Sequence, residues 1–89
     1  MKPKPWRWKE VRSESIGIVG CWQLVDPMRH DRATIWVARS GEATWHTWDA
    51  RGIGGENSVA ASLDEAKDQA IAAIVRQGWA PGGWKVAWS

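Results

Sequence analysis

Trp6, Arg7, Trp8, Lys9 and Arg12 interleave indoles with cations near the start of the chain. Residues of these types in this order suit single-stranded nucleic acid, where Lys and Arg track the phosphates and Trp stacks on bases. The same order also fits a strand whose indoles point into a core while its cations keep the outer side wet. A second aromatic group, Trp36, Trp45, His46 and Trp48, falls in two later segments rich in apolar and β-branched residues. Exposed Trp and Arg are the side chains best able to anchor a protein interface, so this group is a candidate docking set.

Catalytic and metal chemistry have weaker support. Cys21, His30, Asp31, His46 and Asp49 are spread over different segments, without the Cys-x-x-Cys or His-x-x-x-His spacing that zinc sites use. No Ser-His-Asp set or carboxylate pair stands out. The expectation is a protein that is not an enzyme, with no catalytic residues, no metal and no cofactor. Gly52-Ile53-Gly54-Gly55 precedes a helix, but it lacks both the Gly-x-Gly-x-x-Gly fingerprint and the Lys-Ser/Thr of a phosphate loop. Residues 51–59 therefore read as a loop with a turn that needs positive φ.

The elements that must position these residues follow from periodicity. Residues 6–13 alternate imperfectly with period two, and 16–25 continue as a second extended segment that ends at Asp26-Pro27. Residues 28–32 read as a polar connection. Segments 33–39 and 43–50 flank the turn Ser40-Gly41-Glu42 and form a hairpin. In it Ile35 and Val37 oppose Thr34, Trp36 and Ala38, while Trp45 and Thr47 oppose Thr44, His46 and Trp48. Ser62 caps a helix, Glu65 reaches back to its start, and Gly78 stops it near Gln77. Leu63, Ala66, Ala70 and Ile74 make its buried stripe; Asp64, Glu65, Lys67, Asp68 and Arg76 make its wet side. Residues 84–89 alternate again, as a short final strand at a sheet edge or a tail against the core.

The fold class expected is α+β, an antiparallel sheet of three to five strands with one helix packed on one face. Residues 1–5, with Pro at 3 and 5, form a flexible basic arm; residues 6–89 form a single domain. In this 89-residue chain nine Trp replace the volume of a sparse aliphatic set of two Leu, six Ile and seven Val. An Ala-rich helix and Trp-rich strands are complementary halves of one packing problem. One helix covers one face only, which leaves apolar bulk on the other unless a partner covers it.

Net charge is +2, but it is uneven. Residues 1–12 carry five basic groups against Glu10, a local +4, and the remaining seven basic and nine acidic groups give −2. One cysteine cannot form an internal disulfide, so a reducing cytoplasm is the expected compartment. The longest mostly apolar stretch, residues 16–25, is far below the roughly 20 residues that cross a bilayer, and no membrane partner is expected.

Two resemblances add to this reading. Gly-x-Gly-Gly, a Ser and then Ala-Lys-x-x-Ala-x-x-Ala, in residues 52–74, resemble the second half of a double-stranded RNA-binding domain. That resemblance implies a helix N-terminus gripping phosphate through Lys; here Leu63, Asp64 and Glu65 stand at those positions and only Lys67 remains. Trp36-Val37, Trp45 and Trp48, followed by a capped Ala-rich helix, resemble in size and type the small phage-encoded proteins of the anti-CRISPR kind. This implies a stoichiometric inhibitor that covers a working surface of a larger host protein or ribonucleoprotein complex. The expected function is therefore a non-enzymatic binding protein of phage-inhibitor type, docking through the Trp-bearing sheet face and the basic arm. The alternative is a nucleic-acid-binding module built on Trp6, Arg7, Trp8, Lys9 and Arg12. A homodimer would cover the bare face with its own copy.

Overall fold

The computed structural model describes residues 5–13, 15–49, 51–79 and 86–87. The expected arm at 1–5 lies outside the described residues except for Pro5, as does most of the segment 80–89. Alternation of Trp and cation gives β1, Trp6–Val11, and β2 follows at Ile18–Val25. The expected hairpin is β3, Asp31–Ala38, and β4, Ala43–Trp48. Then come β5, Gly54–Ala60, helix α1, Leu63–Arg76, and the two-residue β6, Val86–Ala87. The strand order is β5-β4-β3-β2-β1-β6. β1 to β5 form an antiparallel five-stranded sheet, and β6 joins β1 in parallel. The architecture is α+β, with α1 packed on one face of the sheet.

Register assigns the side chains to faces. Trp8, Leu24, Ala33 and Thr47 stand in one cross-strand row; Glu10, Trp22, Ile35, Trp45 and Ser58 stand in the next. These rows face the helix, where Ala66, Ala70, Ala73 and Ile74 are fully buried. Ala at the contact lets the helix lie close over β3, β4 and β5. Beside it, the indoles of Trp6, Trp8 and Trp22 fill the space over β1 and β2.

Helix α1 begins as its sequence requires. Ser62 Oγ accepts the Glu65 N–H at 3.2 Å, and Glu65 Oε2 accepts the Ala61 N–H at 3.2 Å. It ends at Arg76, with Gln77 as its C-cap and Gly78 beyond it at φ +72. Lys67, expected on the wet side, is instead buried at 5% exposure: its ammonium sits 4.3 Å from the Trp22 ring centroid and 5.8 Å from that of Trp8. An ammonium over an indole face keeps an electrostatic partner while its stem covers apolar surface. Burial pushes the Lys67 ammonium below its ordinary pKa, with Asp64 opposing.

Of residues 51–59, expected as a loop, only 51–53 form one, with the expected positive φ at Gly52; Gly54 to Val59 belong to β5. β5 pairs with β4 from Gly54 to Ala60, and only Gly52 of the Gly-rich stretch has positive φ, +81. Gly54 and Gly55 are needed for space. A Cβ at Gly55 would lie 2.7 Å from Thr47 Oγ1, Gln77 Oε1 and the Trp79 ring, and one at Gly54 would lie 2.7 Å from His46 Nε2. The connection expected at 28–32 is also shorter, since Asp31 and Arg32 already belong to β3.

Candidate functional site

The face of the sheet turned away from α1 gathers most of the remaining chemistry. One row runs Val11, Cys21, Trp36, Thr44, Val59; the next runs Lys9, Gln23, Thr34, His46, Asn57. A third begins Arg7, Val25, Asp31, and Trp48 stands opposite Gly54 at the far side. Arg7 and Lys9 are exposed, while Trp36, His46 and Trp48 are partly exposed. With strands about 4.8 Å apart, Lys9 and His46 lie roughly 14 Å from each other across the sheet. Among the described strand residues, Asp31 is the one carboxylate on this face.

Hydrogen bonds and stacking fix the aromatic end of the surface. His46 and Trp48 stack with ring centroids 4.1 Å apart. Trp48 Nε1 donates to Thr34 Oγ1 at 3.1 Å, and Thr34 Oγ1 donates to Asp31 Oδ2 at 2.7 Å. Burial pushes the Asp31 carboxyl above its usual pKa, against the Thr34 hydroxyl and the Ala33 N–H, which lower it. Burial, and then the Asp31 charge, push the Cys21 thiol up as well. A thiol held protonated is a weak nucleophile, and Cys21 is buried at 6% exposure.

Beside this cluster a groove of about 580 Å³ opens between the β2–β3 and β4–β5 turns, lined by Arg29, His30, Asp31, Trp48, Arg51 and Gly52. Asp26 builds the first turn. Its Oδ1 accepts the N–H groups of Met28 and His30, both at 2.9 Å, and its Oδ2 takes the buried Arg32 guanidinium at 3.3 Å. Asp49 builds the second, accepting the N–H groups of Arg51 and Ile53. These bonds hold the Asp49 carboxyl below the usual carboxylate range, the Ile53 N–H most of all.

The structure divides the residues singled out from sequence. Trp6, Trp8 and Trp45, at 4%, 1% and 3% exposure, lie in the core beneath or beside α1 and offer no stacking surface. The Arg32 guanidinium lies 4.6 Å from the Trp6 ring centroid, and Trp45 Nε1 donates to Gln69 Oε1 at 2.9 Å. Base stacking on Trp6 and Trp8 is thus corrected by their burial. Arg7, Lys9, Trp36, His46 and Trp48 do share one surface, and Arg12 is exposed just past β1. Arg29 and Arg51 were missed, and Asp31 was read only as a scattered metal candidate. Arg29 and Arg51 belong to two turns, and Asp31 to a strand start where a register shift at Leu24/Val25 breaks the period-two pattern.

Among the described residues no group of three or more His, Cys, Asp or Glu could hold a metal ion, and no helix is long and apolar enough to cross a membrane. No protein-family model matches this chain, and no match was found among curated proteins or solved structures.

Proposed function

We propose that this is a non-enzymatic binding protein that holds single-stranded nucleic acid on the helix-free face of its sheet. The observation that carries the reading is the register. It sets the exposed cations Arg7 and Lys9 on the same face as Trp36 and the His46–Trp48 stack, with Lys9 and His46 in one cross-strand row and, among the described strand residues, the half-buried Asp31 as the one carboxylate there. Cations that follow phosphates beside rings that stack on bases are the two ingredients of sequence-tolerant strand binding. The exposed large apolar side chains Ile16, Val19, Met28, Ile53, Val59 and Val75 are scattered over turns, strands and helix, and do not supply the contiguous apolar patch of a dry protein interface.

The test is a titration of a dye-labelled single-stranded 12-mer followed by anisotropy. If Arg7, Lys9 and two further cations each neutralise one phosphate, affinity falls on the order of a hundredfold between about 50 and about 300 mM salt. The double variant Arg7→Glu, Lys9→Glu abolishes binding while the thermal melt is unchanged. Absence of binding at low salt overturns the proposal. The inhibitor reading, in which the same face docks on a host protein or ribonucleoprotein, then takes its place with the Trp36 and Val59 row as its anchor.

A further inference from the structure

The groove between the β2–β3 and β4–β5 turns goes beyond a general cationic face. One ring face of Trp48 is covered by His46, its N–H is bonded to Thr34, and the residue lines the groove. Trp48 thus joins the two-ring stack to an open surface groove about 580 Å³ in volume. Arg29 and Arg51 stand at its rim, on different turns. Arg51 is bound only to Asp49 Oδ2 at 3.3 Å, with a side chain 80% exposed; an exposed pair of this kind is weak and exchanges readily for another anion. Asp31 also lines the groove, but its Oδ2 is occupied by the Thr34 hydroxyl and it is half-buried.

Arg29 has a second peculiarity. It is the only non-glycine among the described residues with positive φ, +66. Glycine adopts that backbone without strain. The turn thus carries a cation where a glycine would suit the backbone better, and a side chain held in such a backbone conformation points to a task elsewhere.

We propose that one nucleotide of a bound single strand enters this groove, its base extending the His46–Trp48 stack as a third ring and its phosphate held between Arg29 and Arg51. This rests on the strand-binding reading above. The base supplies the flat apolar face that the end of the stack lacks, and the phosphate supplies the anion that two guanidiniums on separate turns are placed to clasp.

Two variants test it, each first melted by circular dichroism. Arg29→Gly suits the turn and leaves the melting temperature unchanged or higher. In the labelled 12-mer titration it weakens binding several-fold and lowers the slope of log affinity against log salt by about 0.7, the share of one phosphate on a single strand. Trp48→Leu keeps apolar volume and weakens binding roughly 5- to 150-fold without changing that slope. An abasic strand of equal length binds the parent and Trp48→Leu alike. If both variants bind as the parent does while Arg7→Glu, Lys9→Glu does not, the groove assignment is overturned and the face remains. An abasic strand that still distinguishes Trp48→Leu removes the base from the groove. If the parent binds no strand, both readings fall together.

Discussion

Trp45 and Trp48 lie on the same strand, and both indole N–H groups are satisfied, yet the two residues do different work. Trp45 faces α1, is 3% exposed, and donates to Gln69 of the helix. Trp48 faces away, donates to Thr34 of the neighbouring strand, and lines an open groove. Residue type is identical and hydrogen bonding is equivalent; the difference is which side of the sheet the single helix covers. In a chain that builds its core from Trp, an aromatic residue signals a binding surface only once its face is known.

The largest expected effect breaks the pair apart by truncation. Trp45→Ala leaves a cavity beneath α1 and costs about 3–5 kcal/mol in denaturant unfolding. Trp48→Ala, on the wet side, costs about 1 kcal/mol or less. Equal losses would mean that the helix-free face is as closed as the covered one. A middle-sized effect sharpens the difference from the helix side. Ala70 is fully buried where helix and sheet approach, so Ala70→Leu overpacks that seam and costs about 1–3 kcal/mol, read from the thermal melt. The same enlargement at the exposed Thr44, on the opposite face, is tolerated.

The smallest effect belongs to Asp31 and depends on pH. Its folded pKa is raised by burial, so the folded protein holds this proton to higher pH than the unfolded chain does. The stability contributed by the protonated form is complete below the unfolded value of 3.8 and is lost as pH rises through the folded value. At neutral pH the carboxylate is therefore a small penalty. Asp31→Asn should raise neutral-pH stability slightly, by within about 1 kcal/mol, and melts in acid should show the advantage disappear. An advantage that grew toward acid would contradict the direction assigned to this group.

Much of the fold was legible because local signals agreed with the tertiary answer. The hairpin of β3 and β4, its face parity and the Ser62 cap are all short-range features. β5 was hidden because its sequence, Gly-Gly-Glu-Asn-Ser-Val-Ala, carries no apolar alternation. It is extended because β4 offers it a ladder, and its glycines answer crowding from His46, Thr47 and Gln77, which only the assembled structure reveals. The candidate surface was half legible. His46 and Trp48 could be read as sharing one strand face opposite Trp45, but nothing local shows that Trp36 joins them, that Trp6 and Trp8 turn inward, or that Arg29 and Arg51 line one groove. Lys67 was misplaced for the same reason: a helical wheel assigns it to water, and only two indoles from other strands give it a buried home.

Among the described residues, β5 also stands at the edge of the sheet, with no strand beyond it. An open edge presents unpaired amides and carbonyls to any other extended chain, and a flat, β-branched edge invites fibrous self-association. Two glycines, a glutamate, an asparagine and a serine make this edge a poor template, with a register irregularity between His46 and Trp48 on the strand beside it. The composition that disguises β5 as a loop is thus the composition that discourages the protein from polymerising through it. Replacing Glu56, Asn57 and Ser58 by valine would make the strand easier to recognise and the protein harder to keep in solution.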